Sequence, residues 1–447
     1  MKIAVVGAGK MGLPLACRFA DCGATVLACD RNPLLVATIN DGVSPIDEPG
    51  LDELVHRLVA SGRLTATTET AAAVAASEVV VVIVPAVLTP ENEIDTSMLI
   101  SASREVAKGL SPGMMVSYET TVPVGGTRRL LAPVLAEGGL RPGEDFDVVF
   151  SPERVKSQSV LRNLTVNPKV VGGMTPASAD RATAFYQKYL GAPVMNVGTL
   201  EAAEMVKLAG MAYRDVNIAL ANELSRYADV VGVDLPALLP AINCDGEAAV
   251  LQPGIGVGGH CTPVYPYFLI RDAERRGVNL ELVQGGRRIN DGQVPYLLDQ
   301  FEAEWKTLSG KRVLILGLGF RPGVKEHHAS TAFILRDDLE RRGAIGFLHD
   351  PLYDEEEVRS HGFVPGALDQ AAFDVVVLNT SHPEYGDLPF ARMARQGLEA
   401  VLDGRNFWDP DVVRGFGLHY MGIGRPAPGS YADDASREGW DATCNHC

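Results

Sequence analysis

A thiol at the end of a glycine-rich loop is a ready nucleophile. The run Pro253-Gly254-Ile255-Gly256-Val257-Gly258-Gly259-His260-Cys261-Thr262-Pro263-Val264-Tyr265-Pro266 supplies one, with glycines alternating into a single cysteine and prolines closing the stretch. Glycine at that density lets main chain approach a ligand closely, and a cysteine placed after it can face a substrate as a nucleophile. The same residues also fit a tight turn around a small buried cysteine. Taken alone, the loop leaves both readings open.

A second chemical signature opens the chain. The apolar run Ile3-Ala4-Val5-Val6 leads into Gly7-Ala8-Gly9-Lys10-Met11-Gly12, an amphipathic helix reaching about Cys22, and a strand from Thr25 to Cys29 that ends at Asp30. Strand, glycines, helix, strand and acid in that order form a dinucleotide fingerprint. Glycines admit the pyrophosphate, the helix N-terminus supplies aligned N–H groups, and the acid takes a ribose hydroxyl. The charge of Asp30 opposes a 2′-phosphate, so NAD is expected over NADP, with Arg31 pulling the other way. The expected cofactor set is Gly7, Gly9, Lys10, Met11, Gly12, Asp30, Arg31, Pro85 and Thr121. A flavin or another nucleotide on the same scaffold is the competing reading.

The elements that must position these residues follow in order. Glu78–Pro85, Met114–Glu119 and Val148–Ser151 read as buried strands of the same sheet, followed by Thr120-Thr121-Val122-Pro123 and by Pro152-Glu153-Arg154-Val155. Ligands bind at strand ends on one side of a doubly wound sheet, which brings Thr121 and Glu153 together by topology; each alone also fits a cap or turn. Leu200 to about Val231 reads as one long helix with an apolar face at Met205, Leu208, Ala212, Val216, Leu220 and Leu224. Lys207 lies in that pattern, where a solvated helix lysine is the ordinary alternative. A further helix is expected from about Thr262 to Gly277, and Arg287-Arg288-Ile289-Asn290-Asp291 is expected to open another. Gly310-Lys311-Arg312-Val313-Leu314-Ile315-Leu316-Gly317 starts a second α/β region, with strands near 343–349, 374–379 and 399–402.

The fold class is therefore α/β, with two Rossmann-like doubly wound domains joined by a central helical domain built on one long helix. Its expected segments are 1–198, 199–300 and 308–425, followed by a disordered tail over 426–447.

Composition bounds the function. The 447 residues exceed one compact core, and a net charge of −16 argues against nucleic-acid binding and against anionic membranes. The longest apolar run, Val79 to Leu88, is interrupted by Pro85 and too short to span a bilayer. The N-terminus enters a strand pattern directly, which reads as cytoplasmic. Seven cysteines at irregular spacing fit reduced thiols; Cys17, Cys22 and Cys29 fall in the first βαβ unit as packing residues. Cys444 and Cys447 have a metal half-site spacing, but they end a tail with no fold signal, and no metal is expected.

With these motifs in place, the chain resembles the UDP-glucose/GDP-mannose dehydrogenase family over nearly its whole length apart from the tail. The resemblance rests on the Gly258-Gly259-His260-Cys261 loop, the Ile39–Leu51 segment (I-N-x-G-x-x-P-I-x-E-P-G-L), Glu204-Met205-Val206-Lys207-Leu208, and Phe320–Ser330, which lies on F-K-x-x-T-D-D-x-R-x-S. It also includes Asp403-Gly404-Arg405-Asn406. Several positions depart from the pattern. Tyr265 stands for an aspartate, Met211 for an asparagine, Ser157 for a second glutamate, His328 for an arginine of the nucleotide site, and Ala86-Val87 for Thr-Pro.

The resemblance implies oxidation of a nucleotide-sugar primary alcohol to a carboxylate with two NAD in succession. In that scheme Cys261 is the nucleophile, Lys207 stabilises the oxyanion and lowers the thiol pKa, Glu153 is the base for water, and Thr121 positions it. The implied substrate set is Glu153, Arg154, Val155, Lys207, Gly256, Gly258, Gly259, Arg321 and His328, and the long helix is the expected homodimer core. Losing the aspartate leaves Lys207 without that counter-charge, which favours a neutral amine. A neutral lysine could act as base, or Lys207 and Tyr265 could form a Tyr/Lys pair. Two alternatives thus stand beside uronate formation: a two-electron oxidation ending at a ketone or aldehyde, and a non-catalytic nucleotide-binding relative.

Overall fold

The computed structural model describes residues 1–155, 157–369 and 373–426. The proposed tail, with Cys444 and Cys447, lies outside the described residues except for Pro426. The chain divides into two compact units, Met1–Ala212 with Val264–Leu280, and Tyr213–Pro263 with the described residues from Glu281 onward.

The first unit is built on an eight-stranded sheet. Its strands are β1 (Lys2–Val6), β2 (Thr25–Cys29), β3 (Leu64–Thr67), β4 (Val79–Val82), β7 (Met115–Tyr118), β8 (Asp147–Phe150), β9 (Lys169–Gly173) and β10 (Val194–Thr199); β5 (Val87–Leu88) and β6 (Ile94–Asp95) form a separate small ribbon. The spatial order is β10-β9-β8-β7-β4-β1-β2-β3, and every neighbouring pair is parallel except β8 with β9. Strands such as Val79-Val80-Val81-Val82 are apolar at every position because helices cover both faces. Successive residues alternate between those faces. Ile3 and Val5 enter one core with Phe19, Phe185 and Tyr186, while Ala4 and Val6 enter the other with Leu99, Tyr118 and Leu131. The chain moves outward from β1 through β2 and β3, then returns to β4 on the opposite side of β1. The loops after β1 and β4 therefore border the crevice where such sheets bind ligands.

The second unit repeats the plan with five parallel strands, β11 (Arg312–Leu316), β12 (Ile345–His349), β13 (Val375–Leu378), β14 (Ala400–Asp403) and β15 (His419–Gly422), in the order β12-β11-β13-β14-β15. The long helix covers Leu200–Val231, about 48 Å at 1.5 Å per residue, and the unit boundary falls between its Ala212 and Tyr213. These features match the expected fold class.

One helix start was misplaced in the sequence reading. Arg287–Asp291 closes the helix Glu281–Asp291 and does not open one; the next helix is Gln293–Glu304. A Cβ on Gly286 would lie 3.2 Å from Val216 Cγ2, so the glycine serves a close helix–helix approach. Arg287 and Asn290 are then buried partners of Asp215, at 2.6 and 2.8 Å. Among the described residues no helix is long and apolar enough to cross a membrane.

Candidate active site

The cofactor crevice fits its expected occupant. Gly12 must lack a side chain, since a Cβ there would lie 1.7 Å from Gly7 O; this is what seats the helix Gly12–Asp21 tightly behind the loop. Above Gly9 a Cβ would meet nothing within 4 Å, which leaves the loop open to a ligand. No side chain caps the helix at Met11; Leu13 and Leu15 N–H donate to Gly9 O and Met11 O and Pro14 has no N–H, so what the helix start offers a phosphate is chiefly its aligned dipole. Asp30 accepts from the N–H groups of Ala8 and Asn32, both at 3.0 Å. These bonds fix the carboxylate beside the loop and leave further lone pairs for ribose hydroxyls. Lys10 and Arg31 are exposed and Met11 is half-buried. Thr120 Oγ1 donates to Val84 O at 2.8 Å, tying the ends of β7 and β4 together next to Pro85.

Beyond β7 and β8, paired in register at Tyr118 and Phe150, lie Thr121 and Glu153, each three residues past the pair. Thr121 is 3% exposed, and its hydroxyl is buried with no hydrogen-bond partner. A buried hydroxyl left unsatisfied costs free energy, so its retention points to a ligand or water as its partner. Glu153 accepts from Val155 N–H, and its Oε2 lies 3.9 Å from Lys207 Nζ. Both side chains are largely buried, at 14% and 6% exposure, which makes a solvated Lys207 untenable. Lys207 Nζ also stands 4.9 Å from the centre of the Tyr265 ring, and that ring meets Phe268 edge-on at 5.5 Å. The sequence expectation of a Lys207 without a counter-charge is therefore corrected: Glu153 supplies one, and Tyr265 offers its ring face. Met211 lies one turn further along the helix, half-buried.

The two other residues of the Glu153 segment play a supporting part. Arg154 is exposed and donates to Pro168 O at 2.8 Å, while the partly buried Val155 packs on the first core. Ser157 lies just ahead of the helix Val160–Val166.

The cysteine loop is organised within the second unit. Gly254 N–H donates to the buried Asn222 Oδ1 and Ile255 N–H to Gly404 O, both at 2.9 Å, and the half-buried Arg405 donates to Asn379 O at 2.6 Å. A Cβ on Gly258 would lie 2.6 Å from Phe320 Cβ, and Gly259 adopts φ +107° against the Phe320 ring while donating to His328 O at 2.9 Å. His260 stacks on His328, 4.3 Å between ring centres and 7° from parallel. Gly256, Gly258, Gly259 and His328 thus converge around the Phe320–Ser330 loop, which also carries the half-buried Arg321. Cys261 follows directly and is half-buried. Cys17 and Cys29 differ sharply, because burial, with Asp21 and Asp30 adding to it, pushes their thiols up to about 12.

Some organising residues were not picked out from sequence. Glu48 is buried and accepts from the N–H groups of Gln158 at 2.7 Å and Val160 at 2.6 Å, fixing the segment after Glu153. Glu204 and Arg405 sat inside quoted motifs without roles, and Asn222 carries no local signal.

Family models describe the chain almost end to end. The NAD binding domain of the UDP-glucose/GDP-mannose dehydrogenase family matches residues 1–190, its central domain 201–292, and its UDP binding domain 314–410. The chain is 33% identical over 421 residues to the NDP-N-acetyl-D-galactosaminuronic acid dehydrogenase of Ralstonia nicotianae, covering 91% of this chain and 96% of that one. It is 31% identical to the UDP-N-acetyl-D-mannosamine dehydrogenase of Pyrococcus horikoshii, covering 95% and 99%. The solved UDP-D-ManNAc dehydrogenase of that organism superposes with a TM-score of 0.84 at 31% identity, covering 95% and 99%. A UDP-glucose dehydrogenase from Pyrobaculum islandicum gives 0.85 at 28% identity, covering 95% and 97%. With its glycine crevice, Asp30 and three matched domains, the chain belongs to the UDP-glucose/GDP-mannose dehydrogenase family and is an NAD-dependent oxidoreductase acting on CH–OH groups.

Proposed function

We propose that this enzyme oxidises the primary alcohol of a UDP-linked sugar, of the N-acetylhexosamine class named for its relatives, to the uronate in two successive oxidations. The observation that carries the reading is the buried Lys207–Glu153 pair, with an unsatisfied Thr121 hydroxyl past the end of the strand next to that of Glu153. Within the family plan, 1–198 would bind NAD, 199–300 would hold the catalytic lysine, the cysteine and the dimer helix, and 308–425 would bind the nucleotide.

NAD, cradled by the Gly7–Gly12 loop and Asp30, would supply the electron acceptor, a fresh molecule for each of the two oxidations. The remaining chemistry belongs to side chains. The thiolate of Cys261 adds to the aldehyde carbon left by the first oxidation, forming a C–S bond, and the ammonium of Lys207 stabilises the resulting oxyanion. The second oxidation leaves a thioester. Glu153 takes a proton from water as its oxygen bonds to that carbon, the C–S bond breaks, and the thiolate leaves. Thr121 orients the water. Cys261 lies four residues before Tyr265, and a chain of that length spans at most about 14 Å between Cα atoms.

Arg321, with the cysteine-loop backbone, would hold the nucleotide phosphates. A homodimer on the long helix is supported by its exposed apolar stripe of Tyr213, Leu220 and Tyr227, spaced by heptads, with Val230 beyond. The two-electron alternative draws on Tyr265 beside Lys207. Counting NADH per sugar consumed, across a set of UDP-sugars, tests the reading. Two NADH and a uronate mass support it, and one NADH with a carbonyl product sinks it.

A further inference from the structure

Glu204 is a buried carboxylate to which the reaction above gives no part. It is 1% exposed and lies one turn before Lys207 on the long helix. Its Oε2 accepts from Gly125 N–H, and its Oε1 accepts from Thr127 N–H at 2.8 Å. Those donors belong to the turn that follows Thr121-Val122-Pro123, closed by Gly126 N–H to Pro123 O at 2.7 Å, where the chain enters the π-type turn Thr127–Leu131. One side chain therefore ties the Thr121 turn to the Lys207 helix. Both of its oxygens must accept, which an ionised carboxylate does and an amide does not.

A merely structural tie would not favour a charge here. Burial raises the Glu204 pKa to about 7, while the N–H groups of Thr127 and Gly125 pull it back. Glu201, the neighbouring carboxylate, adds to the rise and is itself bonded to Arg128 at 2.6 Å on the half-exposed side. The ionised form thus costs stability at neutral pH, and buried charge kept at such a cost concentrates where function needs it.

We propose that Glu204 is a positioning residue that fixes the Thr121 turn relative to Lys207 through its paired backbone hydrogen bonds. This rests on the reading of Thr121 and Lys207 as members of the reacting site.

The test compares Glu204→Gln with Glu201→Gln in the full-length enzyme. Backbone hydrogen exchange of the 123–127 segment, Tm, and the pH profile of NADH formation are measured with NAD and UDP-N-acetyl-D-mannosamine. In Glu204→Gln the amides of Gly125 and Thr127 are expected to exchange about tenfold faster, the loss of one hydrogen bond. We expect kcat to fall about tenfold, as for a misplaced reacting group, with the sugar KM held and no loss of Tm at neutral pH. The acid limb near pH 7 should disappear, while Glu201→Gln keeps the wild-type kcat, KM and exchange and retains that limb, displaced to lower pH by the loss of one raising neighbour. Unchanged exchange, or faster exchange with unchanged kcat, overturns the proposal; so does a lowered Tm with kcat and KM failing together, which would make Glu204 a fold determinant. A wild type giving no NADH from any nucleotide sugar overturns the reaction reading and the catalytic half of this one. Wild-type exchange in an active Glu204→Gln enzyme overturns this one alone.

Discussion

Tyr265 is where the two oxidation schemes make opposite demands. Its ring centre lies 4.9 Å from Lys207 Nζ, inside the ~6 Å range of cation–π attraction. Lys207 is only 6% exposed, so the attraction acts in a largely desolvated place, where it amounts to about 2 kcal/mol. If the ring holds the ammonium for oxyanion stabilisation, Tyr265→Phe keeps the face and its edge contact with Phe268 and should retain most of kcat. Tyr265→Leu removes the face and should lower kcat by about 10- to 30-fold, the equivalent of that energy at 1.36 kcal/mol per decade. Initial rates of NADH formation with a UDP-sugar that the wild type turns over, at saturating NAD, give both numbers. A Tyr265→Phe enzyme slower by more than about a hundredfold, with Tyr265→Leu no worse, would show that the hydroxyl takes the proton and would refute the ring-face account.

The remaining expectations can be tested beside it. Cys261→Ser should release one NADH per sugar and then stall, because a serine hydroxyl at its ordinary pKa adds poorly to the aldehyde; sustained single-NADH turnover would remove the thiol from the mechanism. NADP should bind more weakly than NAD, and Asp30→Ala should narrow the gap; calorimetric titration showing NADP as the tighter ligand would refute the Asp30 assignment. Leu220→Asp with Tyr227→Asp should yield monomers by light scattering, and a wild type already monomeric at micromolar concentration would remove the helix interface. Glu204 has a folded pKa raised to about 7, above its unfolded value, so its favourable contribution is complete below about pH 4.5 and is lost as pH rises through 7. The Tm of Glu204→Gln minus that of the wild type should therefore grow between pH 5 and 8, and a constant difference would refute the shift.

What could be read from sequence was whatever the backbone itself demands. Gly7, Gly9 and Gly12 announce a crevice because no other residue fits the Gly7–Gly12 approach, and the cysteine loop repeats that logic against Phe320. The long helix was legible from its apolar period. Polar clamps were not, because they join residues far apart in the chain: Glu204 bonds across 79 positions and Glu48 across 110 and 112. The strands β9, β10 and β15 went unannounced for a local reason. β9 and β15 end in glycine, and β10 is a half-exposed edge without the continuous apolar run of β4.

The departures from the family pattern can be weighed by charge. With Tyr265 in place of a carboxylate, Lys207 has Glu153 within 3.9 Å and an aromatic face within 4.9 Å. If Glu153 takes a proton from water, its pull on Lys207 falls during each turnover. An aromatic face attracts the ammonium without accepting its proton, so its hold persists while Glu153 cycles. On the proposed thioester route, an ammonium held in this way would stabilise the oxyanion and would be poorly suited to act as a base. That division of labour, a titrating partner on one side and a non-titrating one on the other, favours the thioester route over a Tyr/Lys base. On that proposed route, tyrosine could stand for the carboxylate at position 265 while Cys261 kept the part of nucleophile.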